Sequence, residues 1–247
     1  MPQFIQRKPS ELSRKERSQV KALFERYYPT VNDEYINDRL SSVYGFNIVL
    51  LKSHGIVLGA SYYKMDRLKT PFLQKKIPVV QFGQVLKNEY YEDGVIWRTG
   101  HWYAQRNISY YYCIKPTVGL SMISSPKVFE HFIRLFKNHC PNLGPMESGN
   151  SISIADFLQN IYGKRGVKLR FCTKHCLALL NYEPIDITDK WERYYKSKNE
   201  SINTFFIDNG IIKRKGDRIF DNNIALIACG YRNPWSFMAR KGVRIQI

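Results

Sequence analysis

IPVVQFGQVLKNEYYEDGVIWRTGHWYAQRN, residues Ile77 to Asn107, decides how the rest of the chain is read. Its first part carries Ile77, Val79, Val80, Phe82 and Val85, apolar and largely β-branched, which favours a pleated, half-buried strand. The pattern breaks at Glu92-Asp93-Gly94. It resumes as Val95, Ile96, Trp97, His101, Trp102 and Ala104 at helical spacing, with Arg98, Gln105 and Arg106 left for a wetter face. The reading is strand, short acidic turn with a glycine, then helix. That order aims free backbone N–H groups and the positive end of a helix dipole at one spot. Such a spot accepts phosphate or pyrophosphate. An ordinary strand-to-helix connection accounts for the same pattern.

Upstream, Phe46 to Met65 reads as a hairpin, two apolar β-branched runs around Ser53-His54-Gly55. Before it, Pro9 precedes a helix with Ser10 or Ser13 as its cap. Val20, Leu23, Phe24 and Tyr27 form that helix's apolar face, Arg14, Lys15, Arg17 and Lys21 its solvated one, and Pro29 ends it. A second helix is predicted over Asn32 to Val43, with Tyr35, Ile36 and Leu40 inward. Downstream of the hairpin, residues 66–76 read as a polar, basic connection. Beyond the central helix, Ile108 to Pro116 reads as a strand. Ser124 or Ser125 then caps a helix with Pro126 at its first position and an apolar stripe of Val128, Phe129, Phe132, Ile133, Leu135 and Phe136.

Two features resemble the GNAT acyltransferases. That family carries a pattern V-x-x-x-x-Y-[RQ]-x-x-G-x-[GA] at the end of its fourth strand, where backbone amides hold the pyrophosphate of acetyl-CoA or another acyl-CoA. Val85 to Ile96 falls on it with Val85, Tyr90 and Gly94 in place; Tyr91 stands where Arg or Gln is usual, and Ile96 where a small residue is usual. The order of two helices, a hairpin, a strand–glycine–helix unit, a strand and a helix is the family's order as well. The resemblance covers roughly residues 10–137. It implies an α/β (α+β) fold: a mixed central β-sheet flanked by helices, with a C-terminal elaboration. It also implies acyl transfer from acyl-CoA to an amine acceptor. Val85, Leu86, Tyr91, Glu92, Asp93, Gly94, Val95, Ile96 and Arg98 would then hold the cofactor. A backbone N–H within Phe82 to Leu86 would serve the oxyanion. Glu89 is the strand-end carboxylate placed to act as base, with His101 second; His101 reads equally as a satisfied core histidine. Tyr90 and its neighbours could supply a phenolic acid. Where many family members carry a thiol-protonating Tyr on the later helix, this chain has Phe129 and Phe132.

The C-terminal third is less patterned. Residues 142–153 read as an exposed loop rich in Gly, Pro, Asn and Ser, followed by a helix from about Ile154 to Tyr162 that Gly163-Lys164-Arg165-Gly166 stops. Val167 to Phe171 reads as a strand. Ile202 to Ile207, Ile211 to Arg214 and Ile224 to Cys229 read as β segments, with Asn209-Gly210 as a hairpin turn. Residues 1–141 are expected to form the acyl-CoA-binding core. Residues 142–247 are expected to complete the sheet within one continuous domain.

The 247 residues carry 38 Lys and Arg against 21 Asp and Glu, a formal charge of +17, with the excess spread through residues 1–150 and 151–247 alike. Such a balance favours anionic partners. Basic residues mingle with aromatics in Lys190 to Lys196 and follow one another in Lys213-Arg214-Lys215, as in proteins that stack bases and hold phosphates. A non-enzymatic nucleic-acid-binding protein is therefore the alternative function. Hydrophobic content of 44% argues against wholesale disorder. No apolar run is long enough to span a membrane. The 5 cysteines show no regular pairing, which suits a reducing, cytoplasmic compartment. His139-Cys140 with Cys172, His175 and Cys176 has zinc-ligand chemistry but no common finger spacing. Cys172 and Cys176 would share a helix face, and no metal is expected. Cys113 and Cys229 lie in apolar runs that leave a thiol unreactive.

Overall fold

The computed structural model describes residues 2–28, 33–41, 45–87, 95–109, 115–136, 138–141, 148–172, 175–180 and 182–232. The chain divides into two compact units, residues 1–66 with 80–113 and residues 67–79 with 114–247. Two long strands, β3 (Ile56–Thr70) and β4 (Leu73–Lys87), run through both.

The first unit also holds β1 (Gln3–Arg7), α1 (Arg14–Tyr27), α2 (Asp33–Arg39), β2 (Asn47–Ser53) and α3 (Val95–Asn107). Helix α1 starts at a reciprocal cap: the Glu16 N–H donates to Ser13 Oγ at 3.2 Å and the Ser13 N–H to Glu16 Oε2 at 3.0 Å. Val20 and Phe24 pack with Ile36 and Leu40 against Ile48, Leu50, Tyr62 and Leu86 on one sheet face. Val49, Tyr63 and Val80 point to the other face, where Tyr103 of α3 covers them. β2 is buried on both faces, so Ile48 to Leu51 form a continuous apolar run without alternation. Burying each such large side chain contributes about 1.5–3 kcal/mol. The β2–β3 turn holds His54 at φ 49° and Gly55 at φ 75°, the two positive values of a type I′ hairpin that matches strand twist.

The second unit contains the β3–β4 tip, β5 (Thr117–Ile123), α4 (Pro126–Leu135), β6 (Asn138–Cys140), α5 (Ser148–Tyr162), β7 (Lys168–Phe171) and β8 (Cys176–Leu179). It continues through β9 (Ile185–Asp186), α6 (Glu200–Asp208), β10 (Ile212–Lys215), β11 (Arg218–Asp221) and β12 (Ile224–Arg232). Ile154, Leu158 and Tyr162 of α5 pack with Val118, Leu120, Ile227 and Cys229. Gly119 of β5 lies directly opposite Gly230 of β12. A Cβ on either glycine would come within 2.3 Å of Phe136. The paired glycines form a notch that the Phe136 ring fills.

The main sheet runs β1-β2-β3-β4-β5-β12-β8-β7 with β6 beside β12; a smaller one runs β10-β11-β9. β4 leads through α3 to β5, its neighbour in that order. The fold is therefore mixed α/β, a large mixed sheet flanked by helices, as expected. The predicted strand–helix unit is present as β4 and α3. The capped, Pro-opened helix is α4, where the Val128 N–H donates to Ser125 Oγ at 3.4 Å.

Several expectations need correction. Residues 66–76 are not a connection but the tip of the β3–β4 hairpin, extended to Thr70 and resuming at Leu73. Leu68, Phe72 and Leu73 pack there against buried apolar residues, which offsets the flanking charges. The strand described after α3 is Thr117–Ile123; of the expected strand Ile108–Pro116, Ile108, Ser109, Lys115 and Pro116 are not strand, and 110–114 lie outside the described residues. Helix α5 starts at Ser148 rather than near Ile154. Its packed C-terminal turns extend the helix back through residues of low propensity, because propagation costs less than nucleation. Ile202 to Ile207 belongs to helix α6, capped by Asn199, whose side chain accepts from the Ser201 N–H. Asn209-Gly210 is that helix's end: the Ile211 N–H donates to the Phe206 carbonyl and the Gly210 N–H to that of Ile207, with Gly210 at φ 69°. This is a Schellman cap, which needs the same positive φ as a hairpin turn. Cys172 and Cys176 share no helix; they bound the β7–β8 turn, where the Cys172 N–H donates to the His175 carbonyl at 2.9 Å.

Candidate functional site

The first turn of α3 leaves its backbone N–H groups without intrahelical partners. Helix α3 opens at Val95, so those groups belong to Val95 to Arg98. Glu89, Tyr90, Tyr91, Glu92, Asp93 and Gly94 lie outside the described residues, as do the side chains of Val95 and Ile96. Around them, Val85 is half-buried, and Leu86 is fully buried in the core, so Leu86 can offer a ligand only its backbone. Arg98 is exposed, its guanidinium carbon 5.9 Å from the Phe4 ring. His101 is exposed as well, which corrects the core-histidine reading: it sits on the wet side of α3.

What holds α3 in place was not legible beforehand. Thr99, one residue past Arg98, is fully buried. Its hydroxyl donates to Ser61 Oγ at 2.9 Å. Tyr63 Oη lies 2.9 Å from Thr99 Oγ1; with the Thr99 proton spent on Ser61, the phenol is the donor. Burial pushes Tyr63 up to about 12, against the pull of its Thr99 and Ser61 hydrogen bonds, so it stays a donor across the physiological range. Tyr63 also stacks on Tyr103 at 4.8 Å. At Gly100 a Cβ would stand 3.3 Å from the Tyr63 oxygen, so the helix backbone comes close to β3 beside Thr99. Farther along, Asn107 Nδ2 donates to Gln6 Oε1 at 2.9 Å and to the Tyr103 carbonyl at 2.8 Å. The available sequence signal was Ser61 and Tyr63 two apart, hence on one strand face. A close approach also explains Gly83 on β4, where a Cβ would meet Tyr62 Cβ at 2.8 Å.

In the second unit Phe129 and Phe132 are buried, Phe129 against Phe205 and Phe206 and Phe132 against Phe136. Neither position of α4 offers a phenol. Glu130, on the same helix, accepts from the Ser197 hydroxyl at 2.6 Å and the Lys198 N–H at 3.1 Å and pairs with Arg134. Burial pushes its carboxyl up; those hydrogen bonds and the charges of Arg134 and His131 more than offset this and hold it below the usual range.

Cys140 lies opposite Cys229 across the β6–β12 pair. Burial raises Cys140 to about 11 and Cys176 to about 12, and raises Cys229 further. Thiols so far above neutral pH are poor nucleophiles. His175 is held below its usual value by burial and by Arg170, and its ring packs edge-on to Phe205 at 5.6 Å. His139 Nδ1 lies 3.0 Å from the Phe136 carbonyl. Among the described residues no three His, Cys, Asp or Glu side chains come together as a metal site. Among the helices described, none is long and apolar enough to cross a membrane.

No family model matches the chain, and no curated protein matches it. Among solved structures it is similar to an acetyltransferase of the GNAT family from Streptococcus pneumoniae. The identity is 9% and the TM-score 0.32, over 94% of this chain and 99% of that one.

Proposed function

We propose that this protein transfers an acyl group, acetyl in the simplest case, from acyl-CoA to an amine. The acceptor class is a small molecule, a protein or an RNA-linked amine. The observation that supports this most is α3 starting at Val95, directly after Gly94 in sequence, with the residue that follows its first turn, Thr99, anchored by the buried Ser61 and Tyr63 hydroxyls. A fixed helix N-terminus suits a pyrophosphate, and exposed Arg98 adds positive charge on the same turn. The backbone of Val85, Leu86 and Tyr91 to Ile96, with Arg98, would hold the cofactor; its thioester supplies the activated acyl group. Glu89 takes the proton from the amine nitrogen, with His101 as the other base. A backbone N–H between Phe82 and Leu86 donates to the acyl carbonyl oxygen. Because Phe129 and Phe132 carry no hydroxyl, Tyr90 is the phenol assigned to proton donation.

The test is thermal stabilisation by acetyl-CoA, longer acyl-CoAs, free CoA and an unrelated nucleotide at fixed salt. A ligand of the folded state must raise its apparent stability. Stabilisation specific to CoA compounds, abolished in Gly94→Val, is the expected result. No shift with any CoA compound, or an equal shift in Gly94→Val, overturns the reading.

A further inference from the structure

We propose that the β10–β11 hairpin of the second unit binds the phosphate backbone of single-stranded nucleic acid. Its residues read Ile212-Lys-Arg-Lys-Gly-Asp-Arg218, and all but Ile212 are exposed. Arg218 Nε pairs with Asp186 Oδ2 at 3.3 Å. Lys190 and Arg218 line one shallow depression with Asp186 and Asp189, so charge there is balanced. The excess sits on β10. Lys213, Arg214 and Lys215, consecutive and exposed on one strand, have no acidic partner among the described residues.

Two further features point to a ligand with repeated negative charge. Lys215 lies directly opposite Arg218, whose charge Asp186 already balances, so the unbalanced charge of that cross-strand pair is Lys215's. Lys213 and Lys215 share one strand face and so recur at about 6.6 Å, close to the step between phosphates of an extended nucleic-acid strand. The side chains are also pre-placed. The Arg214 guanidinium carbon lies 5.8 Å over the Trp191 ring and Lys215 Nζ 5.9 Å over the Phe220 ring, contacts that hold the charged ends in place while both residues stay exposed. Gly216, at φ 58°, closes the hairpin in a two-residue turn and keeps the ribbon stiff.

β10 is an edge strand of its sheet, and lysines also guard edges against unwanted strand pairing. Lys213→Glu/Lys215→Glu separates the two roles, because a charged edge is still guarded but no longer attracts phosphate. The measurement is binding of a fluorescein-labelled, mixed-sequence single-stranded oligonucleotide across a salt series. Circular dichroism and urea unfolding confirm that the variant folds. The expected result is at least about a tenfold loss of affinity at low salt, with the slope of log affinity against log salt flattened by about 1.4, two contacts' worth. Lys213→Gln/Lys215→Gln carries the same test, with a smaller loss, if charge reversal prevents folding. Unchanged affinity and slope in a folded variant overturn the proposal. So does tighter binding of wild-type protein to phosphatidylserine vesicles than to the oligonucleotide at equal salt. None of these residues belongs to the proposed acyl-CoA site, so failure here leaves that reading standing, and the reverse.

Discussion

Replacing Thr99 by Val keeps the shape of the side chain and removes one hydroxyl, the one that bridges Tyr63 and Ser61 at 2.9 Å on each side. Thr99 and Ser61 are fully buried and Tyr63 is 1% exposed, so water cannot take over. No cavity forms, and the cost is that of orphaned polar groups, about 1–3 kcal/mol each. The Tyr63 phenol also feels Ser61 directly and can turn towards it, leaving the full loss for one group and part for the other. Thr99→Val should therefore destabilise by about 2–4 kcal/mol in urea unfolding. Tyr63→Phe leaves the Thr99–Ser61 bond intact and should cost about 1 kcal/mol. Thr99→Val/Tyr63→Phe removes both partners and should cost less than the two single changes together. There is an alkaline signature too. The folded phenol is raised to about 12 from an ordinary 10.0. Below pH 10 both states are protonated and its contribution is constant. Between pH 10 and 12 the unfolded chain ionises first and stability falls, by about 1.4 kcal/mol per pH unit; Tyr63→Phe should lack that fall. A Thr99→Val protein within about 0.5 kcal/mol of wild type, or a strictly additive cycle, would refute the network as the anchor of α3.

Asp221 is fully buried, and burial raises it from 3.8 to about 6, against the hydroxyls of Ser124, Tyr182 and Tyr195 and the Asn223 N–H. Stability it contributes in acid is lost as pH rises from about 4 to 6, because the unfolded chain releases the proton first. Asp221→Asn should match wild type near pH 4 and exceed it by about 1–3 kcal/mol at pH 7; urea midpoints at the two pH values check this. Gly119→Ala drives a Cβ into the Phe136 ring at 2.3 Å from Cζ and should cost about 1–3 kcal/mol. Thermal unfolding of Gly119→Ala/Phe136→Leu should show recovery of part of that loss, and an additive double variant would contradict the notch.

Local chemistry made several elements readable. Ser125 and Pro126 announce the start of α4 and the aromatic stripe gives its face. The acidic, glycine-bearing break after Lys87 marks where β4 ends and α3 starts. His54-Gly55 names its hairpin because a glycine, which takes positive φ without a Cβ penalty, sits in a short turn between two apolar runs. Where two structures use the same local signal, reading failed. Asn209-Gly210 serves a helix cap as well as it would serve a hairpin, and Ile202 to Ile207 is apolar enough for either periodicity. Asn199, the cap that decides for helix, looks ordinary in a polar stretch.

The sequence by itself determined the class of the fold, the strand–glycine–helix unit and the cationic character of the surface, because periodicity, capping and charge are properties of neighbours along the chain. Only the tertiary structure decided that Thr99 meets Ser61 and Tyr63, or that Gly119 and Gly230 face each other under Phe136. It also set Lys215 against Arg218 with Phe220 alongside. Those depend on which strands pair and in what register, a choice made by the burial of whole faces rather than by any residue's own preference.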